Sequence, residues 1–193
     1  MGEALLEPFE TYGWIPDDRL SEDENMMDLL LLVTRTSQLK QGSMACILLR
    51  PAARQEDDKD DKTEPDNLLS RIQSVATNQE LYKRGSSDIH AEIAAIGDAA
   101  RHGRATHQCT AYITMPPCKR CFAALYSAGI VRIVCVHAPP ACFAPFGDVI
   151  AMESVEDINE NRQRIQVYLD NDNQSTESPS LPSDIAEIAE PDE

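Results

Sequence analysis

The chain has 193 residues, 42% of them hydrophobic and 26% charged, with a net charge of -16. That composition fits one folded domain with a proper core plus flanking segments, and excludes a wholly disordered chain. The longest apolar run, Met26 to Val33, is interrupted by Asp28 and is too short to span a bilayer. The start, MGEALLEPFE, lacks the basic residues and apolar block of a secretory leader. The expectation is therefore an intracellular protein, cytoplasmic or nuclear, with no membrane partner. In that setting the six cysteines read as thiols or metal ligands rather than disulfides.

The acidity is unevenly placed. Residues 1–24 carry eight acids against one base, 54–66 seven against three, and 170–193 eight against none. The rest is slightly basic. Three parts are expected: an acidic N-terminal segment (1–24), a domain (25–169) with an acidic insertion at 54–66, and an acidic disordered tail (170–193). No long basic stripe supports tight polynucleotide binding.

In chain order, ENMMDLLLLVTRTSQ (24–38) predicts a helix opened by acids. SMACILLRP predicts a short strand ending at Pro51, and RIQSVATNQ a second. The two are expected to pair antiparallel across the charged insertion. SSDIHAEIAAIGDAARHG (86–103) is the clearest helix, with Ser87 or Asp88 as its cap and Gly103 as its close. CTAYITM predicts a buried strand. CKRCFAALYSAG predicts a helix closed by Gly129, with Pro117 in its first turn. IVRIVCVHA predicts another buried strand, and VEDINENRQRIQVYL (155–169) a last helix. Strand–helix–strand crossovers of this length imply an α/β sheet covered by helices on both faces.

Four residues carry chemistry. Cys118 and Cys121 lie three apart at a helix start, on one face, where the helix end favours thiolates. Two adjacent thiolates call for a cation, most commonly zinc. His90, at the start of the other alanine-rich helix, can supply a third ligand and leave one position for water, the layout of a catalytic zinc site. Bound zinc can lower the pKa of water from about 15.7 to roughly 7. Glu92, two residues after the histidine, is then placed to move protons.

His90-Ala91-Glu92 followed by Pro117-Cys118-Lys119-Arg120-Cys121 matches the H-x-E and P-C-x-x-C pattern of zinc nucleobase deaminases. The chain resembles the cytidine and deoxycytidylate deaminase superfamily from about Met26 to His137. The likeness is strongest in HAEIAAIGDAARHG and TAYITMPPCKRCFAALYSAGIVRIV, including Thr114-Met115-Pro116-Pro117-Cys118 and Ala-Gly-Ile at 128–130. The resemblance implies a three-layer α-β-α fold with a mixed five-stranded sheet, and zinc at the starts of two helices. It also implies hydrolysis of an amino group to a carbonyl with release of ammonia, and a homo-oligomer. By the same resemblance Asn78, just after the second strand, would touch the substrate's sugar, and the backbone of Ala91 would contact the base.

Lys83 and Arg84 precede the zinc helix and could bind a 5′-phosphate; solvated loop cations are the plainer reading. Lys119 and Arg120 are expected to face outward, and His102 and His107 to be exposed. Cys46, Cys109 and Cys135 are expected as core thiols. His137 and Cys142 could hold a second metal or line the site. Phe143 and Phe146 could wall the pocket, or pack in the core or a dimer contact. Three functions stay open. The first is deamination of a small cytosine-type nucleotide or nucleoside. The second is an RNA-editing deaminase acting on tRNA adenosine or cytidine, or a subunit of one with an RNA or protein partner. The third is a non-catalytic zinc scaffold.

Overall fold

The structure is a computed structural model, and it describes residues 5–39, 42–52, 67–155 and 157–176. The acidic insertion expected at 54–66 lies outside those residues, as does the tail from 177 onward. The elements in order are α1 (Glu22–Arg35), β1 (Ala45–Leu49), β2 (Ile72–Thr77), α2 (Ala91–Arg101), β3 (Thr110–Ile113), α3 (Lys119–Ser127), β4 (Arg132–Cys135), β5 (Ala151–Ser154) and α4 (Ile158–Thr176). Among the described residues no helix is long and apolar enough to cross a membrane.

The strands form one mixed sheet in the order β2-β1-β3-β4-β5. β1 is antiparallel to both β2 and β3, as expected for the first pair, and β3, β4 and β5 run parallel. Alternate strand residues point to opposite faces. Ile47, Leu49, Tyr112 and Val134 join α1 and α4 on one face. Cys46, Leu48, Ala111, Ile113, Ile133 and Cys135 join α2 and α3 on the other. The result is the three-layer α/β fold that the resemblance implied.

Local differences from the sequence reading have physical causes. β5 was not anticipated from the local sequence because AMES is a half-exposed edge strand without an apolar period. α1 begins at Glu22, where Ser21 and Glu24 form a reciprocal capping box. Leu6 and Trp14 are buried in the core, so part of the acidic N-terminal segment packs onto the domain. α4 continues through Thr176, seven residues past the expected end at 169, into the segment expected to be disordered.

The α3–β4 turn needs glycine twice over. Gly129 has φ +81, and a Cβ there would lie 2.9 Å from His107 Nδ1. At the end of α2, Gly103 has φ +65 and closes the helix as anticipated.

Candidate metal centre and substrate cavity

The site is assembled at the starts of α2 and α3. Capping of α2 differs from the sequence expectation. Asp88 does not cap the helix: its carboxylate accepts the backbone N–H groups of Leu81, Tyr82 and Lys83 at 2.8–3.0 Å. These bonds hold the Asp88 carboxyl well below the usual range. With Asp88 committed to the loop, the helix starts at Ala91. His90 stands at the N-cap with extended backbone and makes no capping side-chain bond. The first turn of α2 therefore offers unmet N–H groups beside the cavity.

In α3, Pro117 sits just before the helix rather than inside its first turn. Cys118 is the N-cap, and its sulfur accepts the Cys121 N–H at 3.5 Å. This turn brings both sulfurs to the imidazole. His90 Nδ1 lies 3.9 Å from Cys118 Sγ and 3.4 Å from Cys121 Sγ.

These separations test the fit to zinc. Zn–S near 2.3 Å and Zn–N near 2.0 Å in a tetrahedron imply N···S distances of about 3.5 Å, which the two observed values bracket. Among the described residues, this is the one group of three or more His, Cys, Asp or Glu donors arranged to hold a metal. The His-Cys-Cys set fits Zn2+. Burial, then the Glu92 carboxylate, pushes the Cys121 thiol well up from its ordinary value. Metal binding at Cys121 requires loss of its thiol proton.

Glu92 is buried and lines a cavity of about 360 Å³ together with His90, Ala91 and Cys118. Burial, with the Glu92 carboxylate as a second cause, also raises the thiols of Cys46 and Cys135. The rest of the wall comes from Gly42, Met44 and Ala45 leading into β1, from Ile113 to Pro116 after β3, and from Ser87. Thr114 joins two of these segments: its hydroxyl accepts the Ala45 N–H at 2.9 Å and meets the Thr34 hydroxyl at 3.2 Å.

The other anticipated residues have varied places. Asn78 is buried, and four protein partners engage its amide. Oδ1 accepts from the Met44 N–H at 2.9 Å and the Ser37 hydroxyl at 3.2 Å. Nδ2 donates to the Gly42 carbonyl at 3.1 Å and Ser87 Oγ at 2.9 Å. Asn78 does not itself line the metal-site cavity. Lys83 and Arg84 are exposed on the Asp88-clamped loop and do not line it either.

Phe143 and Phe146 stack near Phe122, with ring centroids at 4.8 and 5.4 Å. They line a different hollow, of about 600 Å³, with Tyr126 and Cys142, so they do not wall the metal cavity. His137 and Cys142 are both exposed and belong to no metal-holding group among the described residues. Lys119, Arg120, His102 and His107 are exposed. Cys46, Cys109 and Cys135 are buried thiols, with burial pushing Cys109 up to about 11 and Cys135 up to about 12.

The sequence reading passed over Ser37, Gly42, Met44, Ser87 as a cavity residue, and Met115. Each is ordinary in its local context, and none carries a spacing signal.

Solved structures share this architecture. The dCMP deaminase from the cyanophage S-TIM5, in apo form, is 14% identical with a TM-score of 0.51, over 69% of this chain and 96% of that one. A Thermotoga maritima diaminohydroxyphosphoribosylaminopyrimidine deaminase/5-amino-6-(5-phosphoribosylamino)uracil reductase is 15% identical with a TM-score of 0.51. That match covers 80% of this chain but 42% of the other. The protein NE0047 bound to 2,6-diaminopurine is 18% identical with a TM-score of 0.51, over 84% and 86% of the two chains. Comparison with curated proteins finds no match. At these identities the structures speak to the fold alone. The family model for the "Cytidine and deoxycytidylate deaminase zinc-binding region" matches residues 20–137, more than half of the chain. The chain belongs to the cytidine and deoxycytidylate deaminase family.

Proposed function

We propose that the protein is a zinc-dependent hydrolytic deaminase acting on a cytosine-type nucleotide or nucleoside. The carrying observation is the convergence of His90, Cys118 and Cys121 with the buried Glu92 at one cavity. A volume of about 360 Å³ suits a single small ligand.

His90, Cys118 and Cys121 are the proposed zinc ligands, and Glu92 the proposed proton carrier. When bound, zinc supplies the activation that makes water nucleophilic at neutral pH. Water adds to the amino-bearing ring carbon, and Glu92 takes one water proton and delivers it to the adjacent ring nitrogen. It then passes the second proton to the departing amino group, which leaves as ammonia while the carbonyl forms. The Ala91 N–H, at the uncapped start of α2, is the proposed contact to the base. Lys83 and Arg84 are the proposed contacts to a 5′-phosphate.

Ammonia release from zinc-loaded protein, offered cytosine, cytidine, CMP, dCMP, adenosine and guanine, tests this reading. Turnover of a cytosine compound is expected. Turnover confined to adenosine or guanine would overturn the substrate class, and no turnover at all would overturn the enzymatic reading. Glu92→Ala should retain stoichiometric zinc and lose about 10²- to 10⁴-fold in rate. Cys121→Ser should lose zinc and turnover together.

A further inference from the structure

On the α1/α4 side of the sheet, a hollow of about 480 Å³ opens between the starts of those two helices and the ends of β4 and β5. Five carboxylates line it, from Asp23, Glu24, Glu153, Asp157 and Glu160, and no lysine, arginine or histidine does. Arg132 pairs with Asp23 and with Glu153, both at 2.6 Å, and Arg164 stands 3.9 Å from Glu24. Asp157 and Glu160 form no ion pair among the described residues. Negative charge is therefore left over at this hollow. Its carboxylates form no group arranged to hold a metal ion, which disfavours a small spherical cation.

Asn161 adds an acceptor of a different kind. It lines the hollow and is only 2% exposed. Its Nδ2 donates to the Glu24 carbonyl at 3.2 Å and to Asp28 Oδ1. A backbone carbonyl can only accept, so the amide nitrogen is fixed on that side and Oδ1 on the other. Oδ1 meets no donor among the described residues. No buried side-chain nitrogen or oxygen among them is left without a partner, so Oδ1 is not sealed in and faces the hollow. A nearly buried carbonyl oxygen beneath unneutralised carboxylates calls for a donor that carries positive charge.

β5 supplies a second element. It is the outermost strand of the sheet, so alternate N–H and C=O groups point away from β4 and have no partner strand among the described residues. An extended segment paired with that edge passes the hollow at the end of the strand, where Glu153 and Ser154 belong to both.

We infer that an arginine side chain of a basic protein partner docks in this hollow, with its segment extended along the outer edge of β5. The guanidinium donates to Asn161 Oδ1 and to the Glu160 and Asp157 carboxylates. Its N–H groups fan out in a plane and serve several dispersed acceptors, which a compact ammonium does not. The net charge of -16 steers a basic partner toward this chain and repels a phosphate backbone.

The test titrates the full chain with blocked peptides that carry a central arginine, lysine or citrulline between threonines, and with arginine amide alone. Binding is followed at low ionic strength through the NMR signal of the Asn161 side-chain amide. The arginine peptide should bind and move that signal. The neutral citrulline peptide should bind about ten- to a hundred-fold more weakly, the range of charge-assisted hydrogen bonds. Glu160→Gln, at an exposed position, should weaken the arginine peptide about two- to five-fold and leave the citrulline peptide unchanged. Absence of binding, an unmoved Asn161 signal or equal affinity for the citrulline peptide overturns the proposal. Equal affinity for the lysine peptide overturns the guanidinium assignment. Equal affinity for arginine amide overturns the partner segment in favour of a small guanidine. No arm measures turnover, so the outcome is independent of the deaminase reading.

Discussion

The two faces of the sheet are built from different materials. Against α1 and α4 the core is bulky, with Met26, Met27, Leu29, Leu30, Leu32, Tyr112 and Trp14. Against α2 and α3 small side chains (Ala76, Ala91, Ala94, Ala95, Ala99 and Ala111, with Cys46, Cys109 and Cys135) gather under α2, while bulky ones such as Phe122, Leu125 and Ile133 fill the space near α3. Small side chains let α2 approach the sheet closely, which brings its first turn, with His90 and Glu92, to the ends of β1 and β3. The bulky face buries apolar area and closes. The small-residue face holds the cavity and the sulfurs at its edge. Stability and chemistry are thus divided between opposite sides of one sheet.

The polar groups divide less sharply. On the bulky face Asp23 and Asp28 are paired. Asp23 meets Arg132 at 2.6–2.7 Å and the Tyr112 hydroxyl at 2.7 Å, and Asp28 meets Arg164 at 2.8 Å. The Arg132 guanidinium holds the Asp23 carboxyl below its ordinary value, with Tyr112 assisting and burial opposing. On the small-residue face Asp98 is paired with Ser74 at 3.0 Å and Arg104 at 3.5 Å, whereas Glu92 lines the cavity and makes no ion pair among the described residues.

Three changes would break or sharpen this contrast. The largest is Leu30→Ala, on the bulky face. It should cost about 2–5 kcal/mol through lost burial and a residual void, while bound zinc per folded chain and kcat stay at wild-type values. Denaturant melts with metal analysis check both, and a fall in zinc would show that the faces are not separable. Next is Ala95→Leu, under α2. Overpacking there should cost about 1–3 kcal/mol, and by lifting α2 it should also lower kcat or zinc affinity, unlike Leu30→Ala. An activity equal to wild type would refute the close-approach argument.

The smallest is an acid effect. Asp23 titrates below its unfolded value near 4, so the stability it contributes is present above that pH and is lost as pH falls through the lower folded value. Asp23→Asn should therefore melt at lower temperature near neutral pH and show a shallower decline in Tm between about pH 5 and 3. An unaltered decline would remove the pairing argument.

Much of the site was legible from spacing. Cys118 and Cys121 are three apart at a helix start, so local geometry already places that pair on one side, while His90 and Glu92, two apart, are marked by their pattern and not by a shared helix face. Long-range placement was less legible. β5 carries too little apolar pattern to stand out locally and exists because β4 offers it a ladder. Leu6 and Trp14 sit in an acidic stretch that reads as a flank until the core they fill is visible. Asp88 looks like a helix cap but is drawn to three N–H groups of the preceding loop.

Periodicity and short spacings along the chain were enough to pick out the His-Cys-Cys set that fits a metal, the helices at whose starts it sits and the α/β sheet beneath. Only the tertiary structure decided how far apart the imidazole and sulfurs stand, where the cavity wall runs and what the Asn78 amide binds. Those depend on residues far apart in the chain, such as Ser37 and Asn78 or Ala45 and Thr114, which meet only when helices and sheet pack against one another.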